Sequence, residues 1–142
     1  MSPGEDEDLR MLYQITVSDL SYFKSQQWNV TYYALLVEAA FVGVGQVLGS
    51  SLTLADRIIL SALAVVSAFS ALYVISKLQR SITVRDSRLI AVREKLSEAF
   101  KRAWSAEHKA DEKVSNVFLL RGGVIVTTAL TVWLVVCRLG AA

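Results

Sequence analysis

Residues 58–76 read IILSALAVVSAFSALYVIS, nineteen positions without a charge. A bilayer core is crossed by roughly 20 mostly apolar residues in helical form, so this stretch predicts a membrane span. Asp56 and Arg57 stand just before it and Lys77 and Arg80 just after it. Two further apolar blocks lie on either side. One runs from Val30 to Leu48 and holds Glu38 and Gln46; the other runs from Val114 to Cys137 and holds Arg121. The chain has 142 residues, is 54% hydrophobic and contains a single proline, Pro3. Its apolar residues thus form three continuous blocks. Barrel strands would need short alternating segments separated by turn signals.

The expected fold is all-α: an integral membrane bundle of three transmembrane helices forming one domain. The expected spans are 30–50, 57–78 and 117–139. An N-terminal amphipathic segment, 1–28, precedes them. The acidic run Glu5 to Asp8 behind Pro3 suits a helix start, where the dipole favours negative charge, and Ser18-Asp19 predicts a fresh N-cap. Trp28, Tyr32 and Tyr33 fall where an aromatic belt forms at the headgroups.

Between spans two and three lies a basic helical segment, 79–116. The stretch from Lys77 to Lys113 carries ten of the fifteen Lys and Arg residues, whereas the short link between spans one and two carries only Arg57. By the positive-inside rule the central segment is cytoplasmic. The N-terminus then shares that side and the C-terminus lies on the far side of a cell membrane, read as a bacterial inner membrane. Leu89, Val92, Leu96, Ala99, Phe100, Ala103 and Trp104 recur at helical spacing on one face, and Glu98 with Arg102 makes a favourable i,i+4 pair. A turn at Ser105 leaves two unequal arms. The longer arm is therefore expected to bend at residues 81–85, with Asp86 capping the helix that follows.

Glu38 is the sharpest chemical signal. A carboxylate within a span costs about 2.5–3.5 kcal/mol on insertion scales. It either serves an ion or proton pathway or lining of a pore, or it glues helices together through hydrogen bonds. Gln46 and Arg121 complete the set of intramembrane polar candidates. Arg121 either snorkels outward or partners Glu38. Small residues mark packing seams: Gly45 and Gly49 as a GxxxG pair, Ala64, Ala68 and Ala71 on one face of the second span, and Gly122 and Gly123 opening the third. The sequence leaves open whether these seams pack within one chain or between copies. A thin three-helix bundle favours a homo-oligomer.

No catalytic, cofactor or metal motif is present. His108 is the only histidine, and Cys137 the only cysteine, so no zinc-ligand spacing exists and no intramolecular disulfide can form. Six acids accompany the ten bases of the central segment, which disfavours nucleic acid as a partner. Membrane lipids, further copies of the chain and a protein docking on the central helix are the expected partners.

The stretch Tyr13-Gln14-Ile15-Thr16-Val17, followed by Gln26-Gln27-Trp28-Asn29-Val30-Thr31-Tyr32-Tyr33, resembles the start of small bacterial membrane proteins of unassigned function. An aromatic amphipathic lead-in, closely spaced helices and a helical cytoplasmic segment also resemble the SLATT class, small membrane effector modules of bacterial conflict systems. The third span departs from that layout. The resemblance implies a pore or effector role and assigns no residue. The expected function is therefore a small oligomeric inner-membrane protein that forms or gates a pore as an effector. The alternative is a non-enzymatic scaffold or accessory subunit that docks a partner through the central segment.

The topology has a direct test. Single cysteines replacing Glu5, Lys95 or Ala142 in a Cys137→Ser background should label so that positions 5 and 95 react from one side of the membrane and position 142 from the other. Labelling of 5 and 95 from opposite sides contradicts an odd number of crossings.

Overall fold

The computed structural model describes residues 3–95 and 116–138. Helix α1 spans Pro3–Leu48, a 3₁₀ turn Gly49–Ser51 follows, and α2 spans Leu54–Lys95. Helix α3 spans Asn116–Trp133 and passes into a π-helical turn, Leu134–Arg138. The described residues contain no strand. All three helices contain windows long and apolar enough to cross a membrane: Glu7–Leu48, Leu54–Lys95 and Asn116–Cys137. At about 1.5 Å per residue, the 46 residues of α1 extend about 70 Å, roughly twice the ~30 Å core of a bilayer.

Two expected interruptions are absent. Helix α1 runs through Ser18-Asp19 unbroken, so 1–28 is not a separate amphipathic helix. Asp19 does not turn back to cap; its Oδ2 accepts from Arg85 Nε at 3.0 Å. Helix α2 likewise runs through residues 81–86 without a break, and Asp86 starts no new helix. Thr83 Oγ1 donates to Gln79 O at 3.0 Å and Ser87 Oγ to Thr83 O at 2.9 Å. Both hydroxyls bond back to the preceding turn of the same helix, which continues through them. The Ser105 turn, the Glu98–Arg102 pair and the apolar stripe from Leu96 onward lie outside the described residues.

The α1–α2 connection is specified locally. Gly49 has φ +46°, a left-handed conformation that glycine adopts without steric cost. A Cβ there would meet nothing within 4 Å, so Gly49 serves the turn. Ser51 Oγ donates to Leu48 O at 2.6 Å. Thr53 and Asp56 then cap α2 reciprocally: Thr53 N donates to Asp56 Oδ2 at 2.9 Å, and Asp56 N donates to Thr53 Oγ1 at 3.2 Å. The Thr53 side chain, then its backbone N–H, hold the Asp56 carboxyl below its ordinary value. Asp56 is fully exposed, in the first turn of α2. Its cap is complete at neutral pH and is lost only as acid protonates the group.

The chain divides into two compact units. In the first, the described residues are 3–26 and 78–95. Leu20, Ile82 and Leu89 form its core, with Tyr13 and Phe23 against them. The Arg85 guanidinium carbon lies 4.2 Å from the Phe23 ring centroid, and NH1 donates to Ser81 O at 3.3 Å.

In the second unit the described residues are 27–77 and 116–138. Ala34 of α1, Ala68, Ala71 and Ile75 of α2 and Val124 of α3 form its core. The alanine face of α2 is thus occupied within the chain, and small side chains there allow the backbones to approach closely. Large apolar side chains point outward instead: Val47, Ile58, Val66, Phe69, Phe118 and Trp133 are exposed.

This core sets an expectation for Ala68→Leu. Added volume at a packed position costs about 1–3 kcal/mol, so the variant should unfold at a lower temperature in detergent. Val66→Leu, on the exposed face, should not. Equal midpoints for the two variants contradict the packing.

Candidate functional site

The inward stripe of α1 changes character within the apolar stretch. Gln27, Thr31 and Glu38 are all buried, Glu38 at 3% exposure. Thr31 Oγ1 donates back to Gln27 O at 2.9 Å, and Gln27 Nε2 donates across to Ile75 O of α2 at 3.4 Å. On α3, Thr128 and Thr131 are buried. The second unit therefore carries several polar groups among the small and apolar residues of its inner faces, while large apolar side chains lie outside.

Glu38 and Arg121 occupy different levels of the bundle. Glu38 Oε1 and Thr128 Oγ1 are 3.0 Å apart, a hydrogen bond between α1 and α3. Arg121 NH2 donates to Ser76 Oγ at 3.0 Å, a bond between α3 and α2. Ser76 Oγ places its own hydrogen on Leu72 O at 2.6 Å. Arg121 and Thr128 are two helical turns apart, about 10 Å along α3, with buried Val124 between them. Glu38 and Arg121 are accordingly not each other's partner; each meets a hydroxyl at its own level. Neither is fully satisfied. Glu38 Oε2 and Arg121 Nε are buried without a hydrogen-bond partner, as is Ser61 Oγ.

The remaining sequence candidates fall elsewhere. Gln46 is exposed and takes no part in this arrangement, while Gly45 is buried. Ala64, Ala68 and Ala71 are buried on α2. Gly122 and Gly123 are half-buried, and a Cβ at either would meet nothing within 4 Å. Sequence reading passed over Gln27, Thr31, Ser76, Thr128 and Thr131. A seven-residue spacing was available as a signal, since Thr31 precedes Glu38 by seven and Thr128 follows Arg121 by seven. Two turns of helix keep such residues on one face.

Among the described residues, no group of three or more His, Cys, Asp or Glu side chains could hold a metal. Cys137 is free and exposed. Comparison of the chain with protein-family models, with curated proteins and with solved structures gives no match.

Thr127 and Thr128 form an internal control. Thr127 Oγ1 reaches only carbonyls of its own helix, Gly123 O at 2.8 Å and Val124 O at 3.0 Å, whereas Thr128 also bonds to Glu38. Thr128→Val should lower stability in detergent by about 0.5–1.5 kcal/mol, the net worth of one hydrogen bond. Thr127→Val should be close to neutral. Loss of stability at 127 alone contradicts the assignment.

Proposed function

We propose that the chain is a multi-pass protein of a bacterial inner membrane that assembles from several copies and forms or gates a pore as an effector. Under this reading the second unit lies in the bilayer, with residues 3–26 and the central segment on the cytoplasmic side. Its partners are lipids and further copies of the same chain. The observation that carries the reading is Glu38, a buried carboxyl whose second oxygen has no partner. Helix association in a membrane needs only small residues and hydroxyls. Ala34, Ala68 and Ala71 already supply the close contacts. An ionisable group placed there at a cost of kilocalories has a use other than adhesion.

The geometry suggests how gating would work. In the closed bundle Glu38 and Arg121 each face a neighbouring helix of the same chain. Separation of α3 from α1 and α2 breaks both bonds and turns a carboxyl, a guanidinium and several hydroxyls toward whatever fills the gap. Val124, nearly fully buried between the two polar levels, and Ile75 packed in the same cluster would form the apolar constriction that keeps water out until then.

One observation favours a scaffold or accessory subunit instead. The first unit exposes Met11, Ile15, Tyr22, Val84 and Ile90. Apolar side chains outside a membrane-spanning unit are a docking face for a protein partner.

Ion flux through liposomes holding the purified protein separates the two readings. The wild type should conduct, and Glu38→Gln should assemble normally but conduct with altered selectivity or pH dependence. An assembled wild-type protein that passes no ions, and that co-purifies with a second protein through residues 3–26 or 78–95, replaces the pore with the scaffold.

A further inference from the structure

Thr128 Oγ1 lies within hydrogen-bonding distance of two oxygens, Glu38 Oε1 at 3.0 Å and Val124 O at 2.8 Å. A threonine hydroxyl has one hydrogen to give, and a backbone carbonyl can only accept. The shorter contact, to the carbonyl four residues back on α3, is the ordinary destination of a helical threonine hydrogen. With that hydrogen on Val124 O, the 3.0 Å contact between Thr128 Oγ1 and Glu38 Oε1 receives none from Thr128. The carboxyl is the one group left that can supply it.

We propose that Glu38 is a proton-binding site. Its carboxylic acid donates from Oε1 to Thr128 Oγ1, and Thr128 in turn donates to Val124 O. The ligand is a proton, held near the middle of the apolar part of α1. This deepens the pore reading by naming the ion that its polar site binds, and it rests on that reading for the nonpolar surroundings of the second unit.

A second feature supports the assignment independently. Glu38 Oε2 is buried and receives no hydrogen bond. In a carboxylate that oxygen carries half of a negative charge, which without a donor is far costlier than a neutral group. In the acid it is an uncharged carbonyl oxygen, and leaving it bare costs less. Among the described residues, the neighbourhood offers no cation to change this balance. On α1 the residues one turn away are Ala34, Leu35, Phe41 and Val42. The inward face of α2 there presents Ala64, Ala68 and Ala71. On α3 the one charged group on the facing side is Arg121, two turns from Thr128 and bonded to Ser76. Thr127 also lies between two acceptors, but both are carbonyls fixed by its own helix. The Glu38 carboxyl comes from another helix and reaches Thr128 through its own rotatable bonds.

Infrared spectroscopy of the protein in lipid at neutral pH reads the proton directly, without requiring ion flux. Subtraction of the Glu38→Gln spectrum should show the loss of one carboxylic acid C=O stretching band. Loss of a carboxylate band in its place overturns the proposal. Should Glu38→Gln not fold, Thr128→Val serves instead: it removes the acceptor, and the acid band should move to higher frequency. A Thr128→Val spectrum with the acid band unmoved also overturns it. A protein that shows the band and passes no ions retains the proton site and loses the pore. One that conducts without the band keeps the pore and loses the proton.

Discussion

The close approach of helices across the alanine face of α2 is the constraint on which the second unit depends. Ala64, Ala68 and Ala71 are nearly fully buried, and Ala34 and Val124 pack with the latter two from the other helices. Side chains this small leave the backbones themselves as the main contact surfaces. Only at such separations can short side chains bridge helices. Threonine has a single carbon between its backbone and its hydroxyl, yet Thr128 meets Glu38 of α1. Serine is no longer, and Ser76 accepts from Arg121 of α3. Larger residues along this face would push the polar groups out of one another's reach. The packing and the polar site are therefore one arrangement seen at two levels.

The two described arginine contacts between helices differ in worth. Arg85 pairs with Asp19, but the two side chains remain 27% and 48% exposed. Solvent screens such a pair, and its value alone is within about 1 kcal/mol. Its stacking over Phe23 adds packing of the guanidinium plane. Arg121 has no carboxylate partner among the described residues and relies on a hydroxyl. Within a bilayer a neutral acceptor still spares the cation part of its desolvation cost, and the long side chain can lean toward the headgroups.

Much of the architecture was legible in the sequence because it depends on composition averaged over many residues. The apolar block around residues 58–76 needs no partner to be recognised. What could not be read were single residues with two uses. Asp19 can cap a helix or reach across to another, and nothing nearby in sequence announces Arg85, sixty-six residues on. Ser81, Thr83 and Asp86 favour breaks in isolation, yet α2 passes through them, with hydroxyls bonded one turn back. Glu38 was visible because charge is rare in an apolar run. Thr128 was not, since threonine is ordinary in a span and its partner lies ninety positions away.

The buried positions of α2 also constrain how the chain can change length. Ala64, Ala68, Ala71, Ile75, Ile82, Leu89 and Val92 are separated by four, three, four, seven, seven and three residues. That is a seven-residue period along α2 from Ala64 to Val92. Removal of one residue between Ile82 and Leu89 rotates Leu89 by about 100° around the helix axis, off the face it shares with Ile82 against Leu20. Removal of seven restores the face almost unchanged. Length variants of this helix that still fold should therefore differ in steps of seven, and a shorter step in α2 calls for a compensating one in α1.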